Sequence, residues 1–282
     1  MPARFAIIGH PVTHSLSPIL HGAAFRALGI DATYDRLTIR TEDLTVAWEE
    51  QLRPHYNGFN VTLPLKSAVI PLLDSVEELA AAVGAVNTVT RLGDQLRGTN
   101  TDILGIRASL APFIAQIRHI PAVVIGAGGT ARSVTAAMAS DVHPSHLTFL
   151  VRDPLRASDV AALALSLLSC PVEVSTLESP TAHIALSKAG LIVQTTPVGM
   201  APEIERTPAP SFTGFRPEQV VFDVIYRPLE TAFLRRAASA GCRVIGGLEL
   251  FLLQGAAAFE QWLGRPMPLE AVRPAVAAAV AS

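Results

Sequence analysis

Short apolar runs of four to six residues alternate along this chain with longer stretches in which apolar side chains recur at helical spacing. That alternation predicts an α/β protein, with strands that read as continuous apolar segments and amphipathic helices between them. Phe5–Gly9 predicts the first strand. Ser17-Pro18 then opens a helix that Gly29 closes, since serine suits the N-cap, proline the first turn and glycine the C-terminal cap. A second strand is predicted over 33–39, a helix over 41–53 and a third strand over 58–62. A hairpin pairs 87–92 with 95–98, and a helix over 103–117 leads into the second half. There the strands are predicted over 122–125, 146–151, 171–175, 190–194, 220–224 and 242–245, separated by helices or loops. A long helix over 247–263 and a shorter alanine-rich one follow. The proline-rich stretch 197–217 reads as one long surface loop, and no internal repeat is present.

A length of 282 residues, half of them hydrophobic, exceeds one ordinary small domain and suits two compact cores. No uncharged apolar run reaches the roughly 20 residues that span a bilayer. The N-terminal apolar run is cut short by Gly9 and His10 and matches neither a signal nor a transit peptide, so a cytoplasmic location is expected. A formal net charge of -2 makes no electrostatic case for nucleic acid or a membrane surface as partner. Cys170 and Cys242 lie far apart and outside any Cys-x-x-Cys pair, which predicts two reduced structural thiols. The eight histidines show no metal-ligand spacing, so no protein-bound metal is expected.

The first chemical signal is the segment Gly126-Ala127-Gly128-Gly129-Thr130-Ala131, directly after the β-branched run Ala122–Ile125 and before a helix-compatible run over 132–139. Strand, glycine-rich turn and helix in that order form a dinucleotide fingerprint: the glycines admit a pyrophosphate and the helix N-terminus offers free N–H groups. Ala131 stands where a third glycine is usual, a small-for-small exchange. The next predicted strand ends in Val151-Arg152-Asp153-Pro154-Leu155-Arg156, where the adenosine ribose is read. Arginines there suit the 2′-phosphate of NADP and an aspartate suits the free hydroxyl of NAD. Both are present; Arg152 and Arg156 as a clamp favour NADP, with NAD the alternative.

Only two of the 22 basic residues are lysine, and one of them, Lys66, ends the phrase Asn60-Val61-Thr62-Leu63-Pro64-Leu65-Lys66. Arginine stays protonated, whereas a lysine amine exchanges its proton when its surroundings permit. A titratable amine at position 66 is one reading; a surviving surface lysine is the other. Polar residues also gather at Asn87, at Thr99-Asn100-Thr101-Asp102, at Ser15 and Ser17, and at Gln254 inside an apolar helix face. Ser17, Thr101 or Asp102 as plain helix caps, and Gln254 as a core amide, are the competing structural roles. Taken together, these hydroxyls, amides, one carboxylate and one amine beside a dinucleotide turn suit the orientation of a polyhydroxylated small molecule during hydride and proton exchange. Asp102 is the best partner for Lys66, since a neighbouring carboxylate holds the amine in place.

At this point the chain resembles the shikimate dehydrogenase family. The resemblance rests on Gly9-His10-Pro11, His14-Ser15-Leu16-Ser17-Pro18, Asn60–Lys66, Gly84–Thr88, Asn100-Thr101-Asp102, Gly126–Ala131, Asp223–Pro228, and Gly246-Gly247-Leu248 running to Gln254. It implies reversible reduction of 3-dehydroshikimate to shikimate, in the route to aromatic amino acids, with NADPH as reductant. It implies Lys66 as acid–base residue with Asp102 as partner, and Ser15 and Ser17 on the substrate carboxylate. Asn60, Thr62, Asn87, Tyr226 and Gln254 would complete the substrate contacts. Gly126, Ala127, Gly128, Gly129 and Thr130 would cradle the pyrophosphate, Val151, Arg152, Asp153 and Arg156 the adenosine end, and Val224 and Gly247 the nicotinamide side. The implied architecture is a two-domain α/β enzyme with an interdomain cleft. Residues 1–102 and 247–282 would form the substrate domain, and residues 103–246 a Rossmann-like NADP domain, in a monomer or homodimer. Gly22 replaces the family's usual asparagine after His21, and Val151-Arg152-Asp153 replaces its Asn-Arg-Thr. A quinate/shikimate dehydrogenase using NAD is the nearest alternative, and a catalytically silent dinucleotide sensor the remote one.

Overall fold

The structure is a computed structural model and describes residues 2–281. The chain divides into two units: the first ends at Leu104 and resumes at Leu252, and the second runs Gly105–Phe251.

The first unit holds strands β1 (Ala3–Gly9), β2 (Ala32–Thr38), β3 (Gly58–Val61), β4 (Ser75–Val76), β5 (Thr88–Leu92) and β6 (Gln95–Thr99) in the order β2-β1-β3-β5-β6-β4. The β1–β2, β1–β3 and β4–β6 pairings are parallel, while β3–β5 and β5–β6 are antiparallel. Strand β1 is buried from Phe5 onward because it lies inside the sheet, whereas β2 forms the edge and has no fully buried residue. Helix α1 (Ser17–Leu28) ends at Gly29 in the left-handed conformation, as its sequence predicts. Helix α2 (Glu78–Val83) and the two-residue β4 escape sequence reading, being too short for a period to show. Helix α3 (Thr101–Leu110) stops where Pro112 follows, and a 3-10 turn and one α turn complete the segment expected as a single helix over 103–117.

The helix expected over 41–53 is broken into a 3-10 turn, an α turn, a π turn over Trp48–Leu52 and a short α turn. Pro54 has no N–H to continue the ladder, and the Arg53 N–H reaches back to the Trp48 carbonyl, closing the wider turn. The irregularity seats Trp48 edge-on to Phe59, in a core with Leu52, Tyr56 and Val61.

In the second unit, β7 (Pro121–Ile125), β8 (His146–Val151), β9 (Val172–Thr176), β10 (Leu191–Gln194), β11 (Val220–Asp223) and β12 (Arg243–Ile245) form a wholly parallel sheet. Its order is β12-β11-β10-β7-β8-β9, the doubly wound order of dinucleotide folds, which reverses direction between β7 and β10. Helices α4 (Gly129–Ala137), α5 (Ser158–Leu167), α6 (Pro180–Lys188) and α7 (Ala232–Ser239) separate the strands. The proline-rich stretch 197–217 contains no helix or strand, as expected.

Helix α8 (Gly247–Leu263) and helix α9 (Leu269–Ala281) follow. From α8, Trp262 stacks on Phe5 at 4.8 Å and donates its indole N–H to Val89 O at 3.0 Å. Gln261 accepts from the Thr99 hydroxyl at 2.8 Å. Residues after 252 therefore finish the packing of the first unit's sheet.

Candidate active site

The loop between β1 and α1 carries the two serines. Gly9 ends β1 at φ +154, and a Cβ there would stand 2.5 Å from Thr62 Cγ2, so glycine lets the Thr62 segment lie against this loop. The helical turn begins at Leu16, whose carbonyl accepts from both Ile19 and Leu20 N–H groups at 3.0 Å. Ser17 is thus already inside the helix and caps nothing, which removes its structural role. Its hydroxyl instead accepts from Ser15 Oγ at 3.2 Å. The Ser15 carbonyl is held by the Arg36 guanidinium through Nε (3.1 Å) and Nη2 (2.8 Å).

Lys66 follows the fully buried Leu65, and its carbonyl accepts from Val86 N–H at 2.8 Å, so the base of the side chain is anchored. Its Nζ donates to Asp102 Oδ2 at 2.7 Å, the two side chains being 25% and 19% exposed. Neither competing role survives here. The lysine is not a free surface residue, and Asp102 is not the cap of α3. Asn100 takes the capping place, accepting the Asp102 N–H at 3.2 Å while its own Nδ2 donates to Ala85 O at 2.9 Å. A charge-assisted bond in a partly enclosed setting leaves the amine fixed yet reachable.

Asn87 lies beside this pair in sequence order and deeper in burial. Its Oδ1 accepts from Thr101 N–H at 2.7 Å and from the Thr88 and Thr101 hydroxyls at 3.0 and 3.1 Å. Asn60, buried on β3, donates from Nδ2 to Thr88 Oγ1 at 3.1 Å and to Asn87 O at 3.4 Å, and accepts from the Tyr34 hydroxyl at 2.6 Å. Tyr34 stacks flat on His21, with centroids 4.5 Å apart at 8°. His21 is fully buried among Phe25, Phe259 and Trp262, and neither ring nitrogen has a hydrogen-bond partner among the described residues. Burial pushes its pKa down to about 3, only partly opposed by the neighbouring Asn60, so the ring is neutral. The contacts of Tyr34 and Arg36 with Asn60 and Ser15 were not legible in the sequence, because both residues sit on an edge strand with no local motif. Gln254 lies half-buried on α8.

In the second unit the glycine-rich turn leaves β7 through Gly126 at φ +113. A Cβ on Gly126 would stand 2.5 Å from Thr195 Oγ1, which itself bonds Ile125 O at 2.8 Å. Gly128 and Gly129 differ: a Cβ on either meets nothing within 4 Å, so the protein's own packing does not demand them. The open space stands before the N-terminus of α4, whose start has no side-chain cap. That fits a pyrophosphate seated on the turn. Ala131 is fully buried, and Ala127 and Thr130 are partly so.

Val151 ends β8 and is buried, and Arg152 to Arg156 beyond it are exposed. Asp153 caps the following turn, its Oδ1 accepting Leu155 N–H at 3.1 Å, while Oδ2 stands 3.7 Å from Arg156 Nε. The aspartate is turned into its own turn, as the NADP reading requires. After β11, Val224 and Tyr226 occupy a loop whose ends are fastened by Asp223. That buried carboxylate accepts Ile225 N–H at 3.0 Å and the Thr231 hydroxyl at 2.7 Å. Burial lifts its pKa to about 6, against the pull of those two bonds. Tyr226 packs on Phe251 at 5.0 Å, and burial raises its phenol above the usual range. Gly247, buried, donates its N–H to Ile225 O at 3.2 Å.

Comparison with known proteins agrees with both halves. Residues 7–89 match the shikimate dehydrogenase substrate binding domain, and residues 247–277 the shikimate 5′-dehydrogenase C-terminal domain. The shikimate dehydrogenase (NADP(+)) of Salinibacter ruber is 42% identical over 275 residues, covering 96% of each chain. The crystal structure of shikimate 5-dehydrogenase from Listeria monocytogenes, in complex with shikimate and NAD, superposes with a TM-score of 0.90 at 30% identity, covering 97% of this chain and 96% of that one. The Thermus thermophilus enzyme, in complex with NADP(H) and shikimate, gives 0.85 at 35% identity, covering 98% and 99%. Sequence, fold order and relatives converge: the chain belongs to the shikimate dehydrogenase family.

Proposed function

We infer that this protein is an NADP-dependent shikimate dehydrogenase, catalysing the reversible reduction of 3-dehydroshikimate to shikimate in aromatic amino acid biosynthesis. The observation that carries the reading is the 2.7 Å Lys66–Asp102 pair beside the Asn87 network. When bound, the nicotinamide supplies or removes the hydride at C3. In the reducing direction Lys66 Nζ donates a proton to the oxygen forming at C3, and in the oxidising direction it takes that proton back. Asp102 holds Nζ at the reacting oxygen and accepts from a ring hydroxyl of the substrate. Ser15 and Ser17 donate to the substrate carboxylate, and Thr62, Asn60, Asn87, Tyr226 and Gln254 line the remaining polar positions.

The unit ending at Leu104 and resuming at Leu252 is the substrate unit, and Gly105–Phe251 the cofactor unit. Gly126, Ala127, Gly128, Gly129 and Thr130 hold the pyrophosphate through backbone N–H groups. Val151 and Arg152 hold the adenosine end, with Arg156 free to swing from Asp153 to the 2′-phosphate. Val224 and Gly247 flank the nicotinamide. We place this biosynthetic enzyme in the cytoplasm. No helix of the described residues is long and apolar enough to cross a membrane. Initial rates with shikimate and quinate, each with NADP and NAD, test the reading. Shikimate with NADP should be the fastest pair. Fastest turnover of quinate with NAD would replace it by the quinate enzyme, and no turnover of either acid would overturn it.

A further inference from the structure

Asn87 can face a ligand in two ways, amide nitrogen outward or oxygen outward, and the choice decides whether it recognises an acceptor or a donor. Three protein donors converge on its Oδ1, from Thr101 N–H, Thr101 Oγ1 and Thr88 Oγ1. Its Nδ2 donates to no protein group among the described residues. The orientation of Asn87 therefore depends in part on where the Thr88 proton points. Thr88 Oγ1 has one proton and three polar neighbours besides its own backbone: it accepts from Asn60 Nδ2 at 3.1 Å, and with Thr101 Oγ1, 2.8 Å away, giving its own proton to Asn87, the Thr88 proton also goes to Asn87. Asn60 shows its nitrogen to Thr88 because its oxygen is occupied by the Tyr34 hydroxyl at 2.6 Å.

We propose that Tyr34 is a positioning residue for substrate recognition, its hydroxyl starting a one-way donor relay through Asn60 and Thr88 that turns the Asn87 amide nitrogen toward an oxygen of the bound hydroxy acid. Every bond in the relay has the same polarity: Tyr34 Oη–H to Asn60 Oδ1, Asn60 Nδ2–H to Thr88 Oγ1, Thr88 Oγ1–H to Asn87 Oδ1. Removing the first donor leaves the Asn60 orientation held only by Nδ2, through its bond to Thr88 and the long 3.4 Å bond to Asn87 O, and lets the amide turn over. Its oxygen then faces Thr88 and draws that hydroxyl's proton away from Asn87. Tyr34 belongs to no motif that marks the site and need not touch the substrate. Its ring is held by the flat stack on His21, so the hydroxyl alone can be removed with the aromatic contacts kept.

The inference rests on the shikimate reading of this site, and Tyr34→Phe tests it. Shikimate Kd and KM should rise about five- to tenfold, the range of one lost internal hydrogen bond, with a far smaller change in kcat and none in KM for NADP. Thr88→Val should give the same signature, and Thr88→Ser, which keeps the hydroxyl, should restore the affinity. In an Asn87→Ala background, adding Tyr34→Phe should cost nothing further, because the relay then has no end point. Parent-like shikimate affinity in Tyr34→Phe, or penalties that simply add in the Asn87→Ala background, would overturn the relay while leaving the enzyme's function intact. An unaltered protein that neither binds nor oxidises shikimate would instead bring down the functional reading, and the relay with it.

Discussion

Lys66 and Asp102 stand 36 positions apart in the chain and meet at 2.7 Å, the contact that the proposed acid–base role needs. Removing the amine while leaving the carboxylate should harm the chemical step far more than binding. In Lys66→Ala we expect kcat to fall about 10²- to 10⁴-fold, the usual worth of a positioned acid or base, with shikimate Kd changed less than about tenfold. Steady-state rates beside equilibrium binding check this, and near-parent turnover would reassign the proton to another group. Lys66 was legible because lysine is scarce here and because a distinctive polar phrase precedes it. Ser17 was legible as a residue of interest but not in its role, since a serine before proline looks the same whether it caps the helix or sits inside it. The contacts of Tyr34 and Arg36 were invisible: they reach Asn60 on β3 and the Ser15 carbonyl, partners distant in sequence that no local pattern encodes.

At the scale of elements, the parallel sheet of the second unit followed the sequence closely, because its strands are β-branched runs bounded by turns. The two overread helices share one cause. Where proline falls near a helix, as at Pro54 and Pro112, the apolar period continues while the backbone ladder cannot, and periodicity alone overreads the helix. The glycine-rich turn shows the opposite case, where each glycine has a different reason to be there. Gly126 is held by backbone conformation and by Thr195, whereas Gly128 and Gly129 face open space. Gly126→Ala should therefore cost about 1–3 kcal/mol of stability, the range for a strained backbone site, and raise KM for NADP while leaving shikimate binding unchanged. Denaturant unfolding and separate titrations of the two ligands check it. An unaltered NADP affinity would show that the turn accepts a side chain and does not meet the pyrophosphate at this point.

For the whole molecule, the two units contain buried titratable groups that respond to acid in opposite directions. His21 in the first unit has its pKa lowered from 6.5 to about 3, so the unfolded chain takes up the proton more readily. Its contribution to stability is complete above pH about 6.5 and is lost as pH falls toward 3. Asp223 in the second unit is raised from 3.8 to about 6, so the folded chain binds that proton more readily. Its contribution is complete below about 3.8 and is lost as pH rises through 6, about 3 kcal/mol for a change of roughly two pH units. Between pH 7 and pH 5 the first unit should weaken and the second strengthen. Calorimetry at the two pH values should show two unfolding transitions moving apart or exchanging order, and Asp223→Asn should flatten the response of its own transition. Transitions that shift together in parent and variant would exclude this assignment.

The Trp262 and Gln261 contacts bear on how the chain is made. Strands of the first unit leave the ribosome before any of residues 105–251, yet the tryptophan that stacks on Phe5 and bonds Val89 is synthesised after all of them. Until residues past 251 are made, Phe5 has its early neighbour Phe25 but not Trp262, whereas every strand of the second unit is already synthesised by Ile245. The sheet whose strands come first in the chain is thus the one whose packing is completed last in the order of synthesis.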